Sequence, residues 1–132
     1  MRTAAERYGD RAAVVDGDEV VSFARLAHEM TRVTRALVAA GVARGDRVGI
    51  WAPNGWRWIV AALATHAAGA AVVPVNTRYK GEEAAYVLGR SGARVLFTVR
   101  GFLGTDYVAM LHGAGEALRA LERVVVMAGA GA

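Results

Sequence analysis

Arg78 and Lys80 are the pair in this sequence best placed to hold a charged ligand, and Lys80 is the sole lysine of the chain. They follow directly on an apolar run that ends at Val75-Asn76. In open α/β sheets, ligands gather beyond the carboxyl ends of the strands. A guanidinium and an ammonium at such a place can hold phosphate oxygens through charge-assisted hydrogen bonds. An R-x-K pair has low specificity, so the same residues also read as an exposed basic turn ahead of a helix. At the level of sequence both readings stay open.

The other reactive residue types lack partners. His28, His66 and His112 each stand alone in a helical pattern with no second ligand at metal spacing, and they read as surface or packed histidines. Ser22 and Ser91 are the only serines, and neither lies in a G-x-S-x-G elbow. No G-x-x-x-x-G-K-[ST] loop exists. The glycine-bearing segment Gly41 to Asp46 precedes a strand, which is the wrong side for a dinucleotide loop. No residue is assigned a catalytic or metal-binding role. Trp51, Trp56 and Trp58 form a sequence cluster. Trp56 falls on an apolar stripe and reads as core, whereas Trp58 beside Arg57 is expected on the outer face, against a neighbouring domain or a subunit of a homodimer.

The elements that must position these residues alternate in type. Ala12 to Val15 and Glu19 to Val21 flank the tight turn Gly17-Asp18 and predict a small hairpin. Ser22 is a natural cap for a helix whose stripe runs Phe23, Leu26, Ala27, Met30, Val33, Thr34, Leu37 and Val38, with Gly41 as its stop. A strand follows at Arg47–Trp51. Pro53-Asn54 breaks it, with Asn54 expected to cap a helix carrying Trp56, Ile59, Val60 and Leu63. Ala70 to Val75 reads as a buried strand. Glu82 and Glu83 suit the first turn of a helix reaching Ser91 and ending at Gly92. Val95 to Val99 is a further strand. Tyr107, Leu111, Ala114, Leu118 and Leu121 give a helical stripe, weakened by Gly113 and Gly115. Val124 to Met127 closes the pattern, and residues 128–132 read as a loop. Apolar strands separated by helices predict an α/β fold, a mostly parallel sheet covered on both faces.

With 132 residues, 55% of them hydrophobic and 21% charged, the chain is sized for one compact domain and is far from a disordered composition. The net charge of +4 is nearly all arginine and is spread along the chain, often beside acids. A nucleic-acid module would concentrate it on one stripe with aromatic platforms, so no nucleic-acid partner is expected. The absence of cysteine excludes a disulfide framework and agrees with a reducing cytoplasm. No signal-peptide pattern opens the chain, and no apolar run is long enough for a transmembrane segment. Cytoplasmic localisation is the expectation.

Taken in order, several segments resemble one family. Gly45-Asp46-Arg47-Val48-Gly49-Ile50-Trp51-Ala52-Pro53-Asn54, followed by His66-Ala67-Ala68-Gly69-Ala70-Ala71-Val72-Val73-Pro74-Val75-Asn76-Thr77-Arg78, is similar to the early part of acyl-CoA synthetases. Those adenylate-forming enzymes carry G-D-x-V-x-[IL]-x-x-x-N, a helix, then A-G-x-x-x-V-P-[VIL]-[ND]. The stretch Glu82 to Phe97 resembles the continuation E-L-x-Y-I-L-x-x-S-x-A-K-x-L, and the opening resembles A-x-R-[FY]-G-D-x-x-A-[VL]. The string P-V-N-T-R is similar to fatty-acid and aryl-acid CoA ligases. Phe102 to Tyr107 is similar to actinobacterial ligases, including ones acting on steroid-derived ring propanoates. Arg25, where the family often has an acid, and Ala84-Ala85-Tyr86 depart from the pattern.

The resemblance implies one partial domain over residues 1–132, the N-terminal portion of the large domain of an ATP-dependent acid–CoA ligase. It implies a fatty or other carboxylic acid, ATP, CoA and Mg2+ as the parent's substrates and cofactors. The family's phosphate loop, ribose-binding aspartate, hinge residue and catalytic lysine would lie beyond Ala132. Lys80 matches none of those motifs and is not carried over as catalytic. Arg78 occupies the N-x-R position, which adds to its reading as a coenzyme contact; Arg78 and Lys80 together are the expected contacts to CoA phosphates, and the chain alone is expected to be inert. Two rivals remain: a stand-alone truncated homologue serving as an interaction or regulatory module, and an unrelated α/β nucleotide-binding domain.

Overall fold

The computed structural model describes residues 2–102 and 104–127. Strands β1 (Ala12–Asp16) and β2 (Glu19–Ser22) pair antiparallel around Gly17-Asp18, as the turn signal predicts. Ahead of them, where the sequence shows only a polar lead, lies helix α1 (Arg2–Tyr8). Seven residues are too few to show a periodicity, and such a short helix is held by packing more than by propensity. The Tyr8 ring meets Phe23 at 5.2 Å, and Ala24 N–H donates to the Gly9 carbonyl at 2.9 Å, so α1 is fastened to the start of the next helix.

That helix, α2 (Phe23–Ala39), begins as predicted: the Ser22 hydroxyl accepts from Arg25 N–H at 3.1 Å. The next helix, α3 (Trp56–Ala67), corrects the expectation for Asn54. Gly55 holds the cap position and offers no side chain; the Asp16 carboxylate, at the end of β1, accepts from Trp56 N–H at 3.1 Å instead. A local rule cannot see a capping oxygen delivered by the hairpin.

Four strands form the parallel sheet that the alternation predicts: β3 (Arg47–Trp51), β4 (Ala71–Pro74), β5 (Val95–Thr98) and β8 (Arg123–Val126), in the order β4-β3-β5-β8. Side chains alternate across a strand. Val95 and Phe97 share a face with α2 and α3, whereas Gly49 faces Leu88 of α4 (Gly81–Ser91), whose Cδ2 lies 2.5 Å from where a Cβ on that glycine would stand. Helices thus cover both faces. As predicted, α4 ends at Gly92.

A two-residue hairpin, β6 (Gly101–Phe102) with β7 (Thr105–Asp106), leads into α5 (Tyr107–Leu111), capped by Asp106 through a 3.0 Å bond from Ala109 N–H. The helix expected to run on to Leu121 breaks. After His112 the chain turns and resumes as a 3₁₀ turn, Gly115–Leu118. Leu118 and Leu121 still pack on the core, so the apolar stripe was sound and the continuous helix was not.

Two clusters fill the interior. The main one spans the sheet and includes Val48, Ile50, Trp51, Leu88, Leu96 and Tyr107; a satellite of Val21, Leu26, Trp56 and Val60 lies between the hairpin, α2 and α3. At the amino ends of the strands, Arg94 donates to Asp46 at 2.7 Å, to Glu122 at 2.9 Å and to the Gly41 carbonyl at 2.9 Å. That end is tied together by Arg94, whereas Arg78 and Lys80 lie at the carboxyl end.

Candidate functional site

The segment from Asn76 to Lys80 leaves β4 and makes a tight turn before α4. Its geometry is built from one residue. The Asn76 carbonyl accepts from Tyr79 N–H at 3.0 Å, closing the turn, while its side-chain oxygen accepts from Arg78 N–H at 2.9 Å. Such an Asx arrangement fixes a turn without a helix or strand ladder. Arg78 and Lys80 point to the surface as exposed residues. Neither side chain makes a hydrogen bond or an ion pair among the described residues. Lys80 also occupies the cap position of α4, with its carbonyl accepting from Ala84 N–H at 3.0 Å. Glu82 and Glu83 sit in the first turn of that helix and oppose an anion seated on its N–H groups. Any anion held here is therefore held by the two side chains.

Beneath the turn lies an aromatic stack. Trp51, at the carboxyl end of β3, and Tyr107, at the start of α5, lie parallel within 4° at a centroid distance of 4.1 Å. Both are buried, at 0% and 1% exposure. Their polar ends reach the turn: Trp51 Nε1–H donates to the Asn76 carbonyl at 3.0 Å and the Tyr107 hydroxyl to the Thr77 carbonyl at 2.6 Å. Burial pushes the Tyr107 phenol above its ordinary pKa, which keeps it a donor. Thr98 completes the layer by donating its hydroxyl to the Trp51 carbonyl at 2.7 Å.

Strand order changes direction between β3, which connects outward to β4, and β5, which connects the other way to β8. The crevice outside such a reversal is where open sheets bind ligands. Here it is stoppered by Trp51 and Tyr107, which moves the accessible polar groups outward to the turn carrying Arg78 and Lys80. Sequence reading found the cations and missed Tyr107, which it placed on a helix stripe; nothing local signals a hydroxyl aimed at a residue 30 positions away.

The remaining candidates do not gather. His28, His66 and His112 are all exposed and far apart in the chain. Among the described residues no three His, Cys, Asp or Glu side chains form a group able to hold a metal ion. No described helix is long and apolar enough to cross a membrane. The three tryptophans do not cluster: Trp51 sits under the turn, Trp56 in the satellite core, and Trp58, expected on the outer face, is half-buried against the main core.

A second concavity of about 680 Å³ opens between α2, α3 and the β5–β8 half of the sheet. Its floor includes Val95, Phe97 and Val125, and Arg25 and Arg57 lie over the Trp56 ring at its wall, 4.9 and 4.3 Å from the centroid. The Trp56 indole N–H is buried without a partner. This groove is the part of the sheet face that α2 and α3 leave open, and no convergent catalytic groups line it among the described residues.

Comparison with known proteins follows the fold. The chain is 48% identical over 120 residues to the 3-[(3aS,4S,7aS)-7a-methyl-1,5-dioxo-octahydro-1H-inden-4-yl]propanoyl:CoA ligase of Mycobacterium tuberculosis, a match covering 90% of this chain and 24% of that protein. It therefore spans about a quarter of the length of that relative. The crystal structure of the anthranilate CoA ligase AuaEII in complex with anthranoyl-AMP superposes with a TM-score of 0.86 at 25% identity, covering 96% of this chain and 23% of that one. The N-terminal domain of FACL13 from Mycobacterium tuberculosis shares the fold, with a TM-score of 0.85 at 23% identity over 96% of this chain and 32% of that one. Residues 1–131 match the family described as AMP-binding enzyme. With that match running through the whole parallel sheet and both of its helical layers, the chain belongs to the AMP-binding enzyme family.

Proposed function

We propose that this chain is the N-terminal portion of the large domain of an ATP-dependent acid–CoA ligase, and that it supplies scaffold and a coenzyme contact rather than catalysis. In the parent reaction a carboxylate oxygen attacks the α-phosphorus of ATP and expels pyrophosphate. The CoA thiol then attacks the acyl carbon of the acyl-adenylate and AMP leaves. Family membership over residues 1–131 is the observation that carries this reading. The relative named for a propanoyl group on a methyl-dioxo-octahydroindene makes a fused-ring propanoate the first acid to test.

Within this chain, Arg78 and Lys80 are the groups suited to CoA phosphates. They are exposed, cationic and two residues apart at the carboxyl end of the sheet. Among the described residues no three His, Cys, Asp or Glu side chains gather, and this supports the scaffold reading.

Acid-dependent exchange of labelled pyrophosphate into ATP tests both parts. The purified chain is expected to show none above background, and exchange by these residues alone would overturn the scaffold reading. In the full-length ligase containing this segment, Arg78→Ala with Lys80→Ala should raise KM for CoA about tenfold, the scale of one lost charge-assisted hydrogen bond. Pyrophosphate exchange should stay unchanged, because that half-reaction precedes CoA. An unaltered KM would remove the coenzyme contact from the proposal.

A further inference from the structure

We propose that the stacked Trp51–Tyr107 pair is a positioning clamp that presets the Asn76–Lys80 turn, so that Arg78 and Lys80 meet phosphate groups without first being ordered. The inference rests on the phosphate-binding reading given above and adds to it two residues that touch no ligand.

Three strand ends meet in this clamp. Trp51 ends β3, the turn leaves β4, and Tyr107 belongs to the connection leaving β5. Each ring contributes one donor, and the two donors take consecutive carbonyls, Asn76 and Thr77. Immediately after them the chain makes its Asx contact to Arg78 N–H. The backbone on either side of Arg78 is consequently fixed: by Tyr107 and Asn76 before it, and by Tyr79 N–H, bonded to the Asn76 carbonyl, after it. Only the side chains of Arg78 and Lys80 stay free to move.

Solvation strengthens the effect. Both rings are buried and the two bonds to the turn are part-buried, so water competes less for these donors than at a fully exposed turn, and a buried donor deprived of its acceptor is costly. Surface turns with exposed cations ordinarily spend conformational entropy when they grip a ligand. Here the backbone share of that entropy is already lost on folding. Exposed ion pairs are worth little one by one, so preorganisation is the feature that distinguishes this R-x-K turn from any basic turn. The start of α4 is fixed by the same neighbourhood: a Cβ on Gly81 would lie 2.6 Å from the Met110 carbonyl, so the helix begins in direct contact with α5.

Tyr107→Phe separates positioning from packing, because it keeps the ring stack and removes only the hydroxyl that holds Thr77. Titration of the uniformly ¹⁵N-labelled chain with coenzyme A gives a Kd, and amide relaxation gives the order of residues 77–80 in the free chain. Both are measured well below the melting temperature, so that a change in stability alone moves neither. In Tyr107→Phe we expect lower amide order at residues 77–80 and binding weakened about threefold to tenfold, matching one lost hydrogen bond. Arg78→Ala should weaken binding while leaving the amide order as it was. If Arg78→Ala weakens binding and Tyr107→Phe changes neither order nor Kd, the clamp is overturned and the phosphate reading survives. If the unaltered chain takes up no coenzyme A although Tyr107→Phe loosens the turn, the phosphate reading is overturned and the mechanical role of the pair survives.

Discussion

Arg94 gathers the amino ends of β3, β5 and β8 by reaching Asp46, Glu122 and the Gly41 carbonyl from the head of β5. The Asp46 carboxylate also accepts from Ala43 N–H at 2.8 Å. These contacts, first the Ala43 amide and then the Arg94 guanidinium, hold the Asp46 carboxyl below its ordinary pKa of 3.8. A carboxyl with a depressed folded pKa stabilises the fold above its unfolded value. It gives that stabilisation up as pH falls through the folded value, so the loss lies below about pH 4. Glu29, lowered chiefly by its hydrogen bond from Arg32, acts in the same direction. Asp46→Asn, which keeps an acceptor for Ala43 but drops the charge, should flatten the decline of the melting temperature between pH 5 and pH 2 without abolishing it. Parallel acid limbs for the two proteins would show that the knot contributes no pH dependence. Some residue-scale features were readable from sequence. Arg78 and Lys80 declare themselves by charge and by following a strand. The roles of Arg94 and Tyr107 do not, because their partners lie 28 to 53 positions away for Arg94 and 30 for Tyr107.

Elements whose limits are set locally were legible: α2 by its stripe and Ser22, and α4 by Glu82, Glu83 and Gly92. Those set by neighbours were not. The first turn of α3 takes its cap from the hairpin, and α5 stops where Gly113 and Gly115 let the chain turn away. Close approach between elements was equally invisible in sequence. Gly89 sits on α4 facing the 3₁₀ turn, where an added Cβ would run into the Ala117 carbonyl. Alanine is worth up to about 1 kcal/mol over glycine inside a helix. Overpacking against backbone costs about 1–3 kcal/mol, so the clash should win. Gly89→Ala is expected to lower the urea midpoint, with a net loss of up to about 2 kcal/mol once the propensity gain is deducted. A raised midpoint would mean that the 3₁₀ turn yields freely and that the close contact has no structural weight.

At the scale of the molecule the sheet is unevenly covered. Both faces of β3 carry helices, whereas β8 leaves Val124, Val125 and Val126 at 42%, 39% and 45% exposure. Parallel sheets are normally buried on both faces, and an apolar edge strand is a template for pairing with another chain. The chain should therefore associate as its concentration rises. Lysines placed on such an edge oppose pairing. Val124→Lys with Val126→Lys should shift sedimentation toward the monomer, and an unchanged distribution would locate the association elsewhere. The fold class was legible from strand and helix alternation; the uncovered edge was not, because a strand's neighbours cannot be read from its own residues.

The bond from Trp56 N–H to the Asp16 carboxylate joins residues 40 positions apart. During synthesis at about 5–20 residues per second, the acceptor leaves the ribosome about two to eight seconds before the amide that needs it. The hairpin can thus be waiting, complete, when the first turn of α3 emerges. A chain diluted from denaturant has no such order imposed on it and must form hairpin and helix together. The same cap is, in effect, a timing device written into the direction of translation.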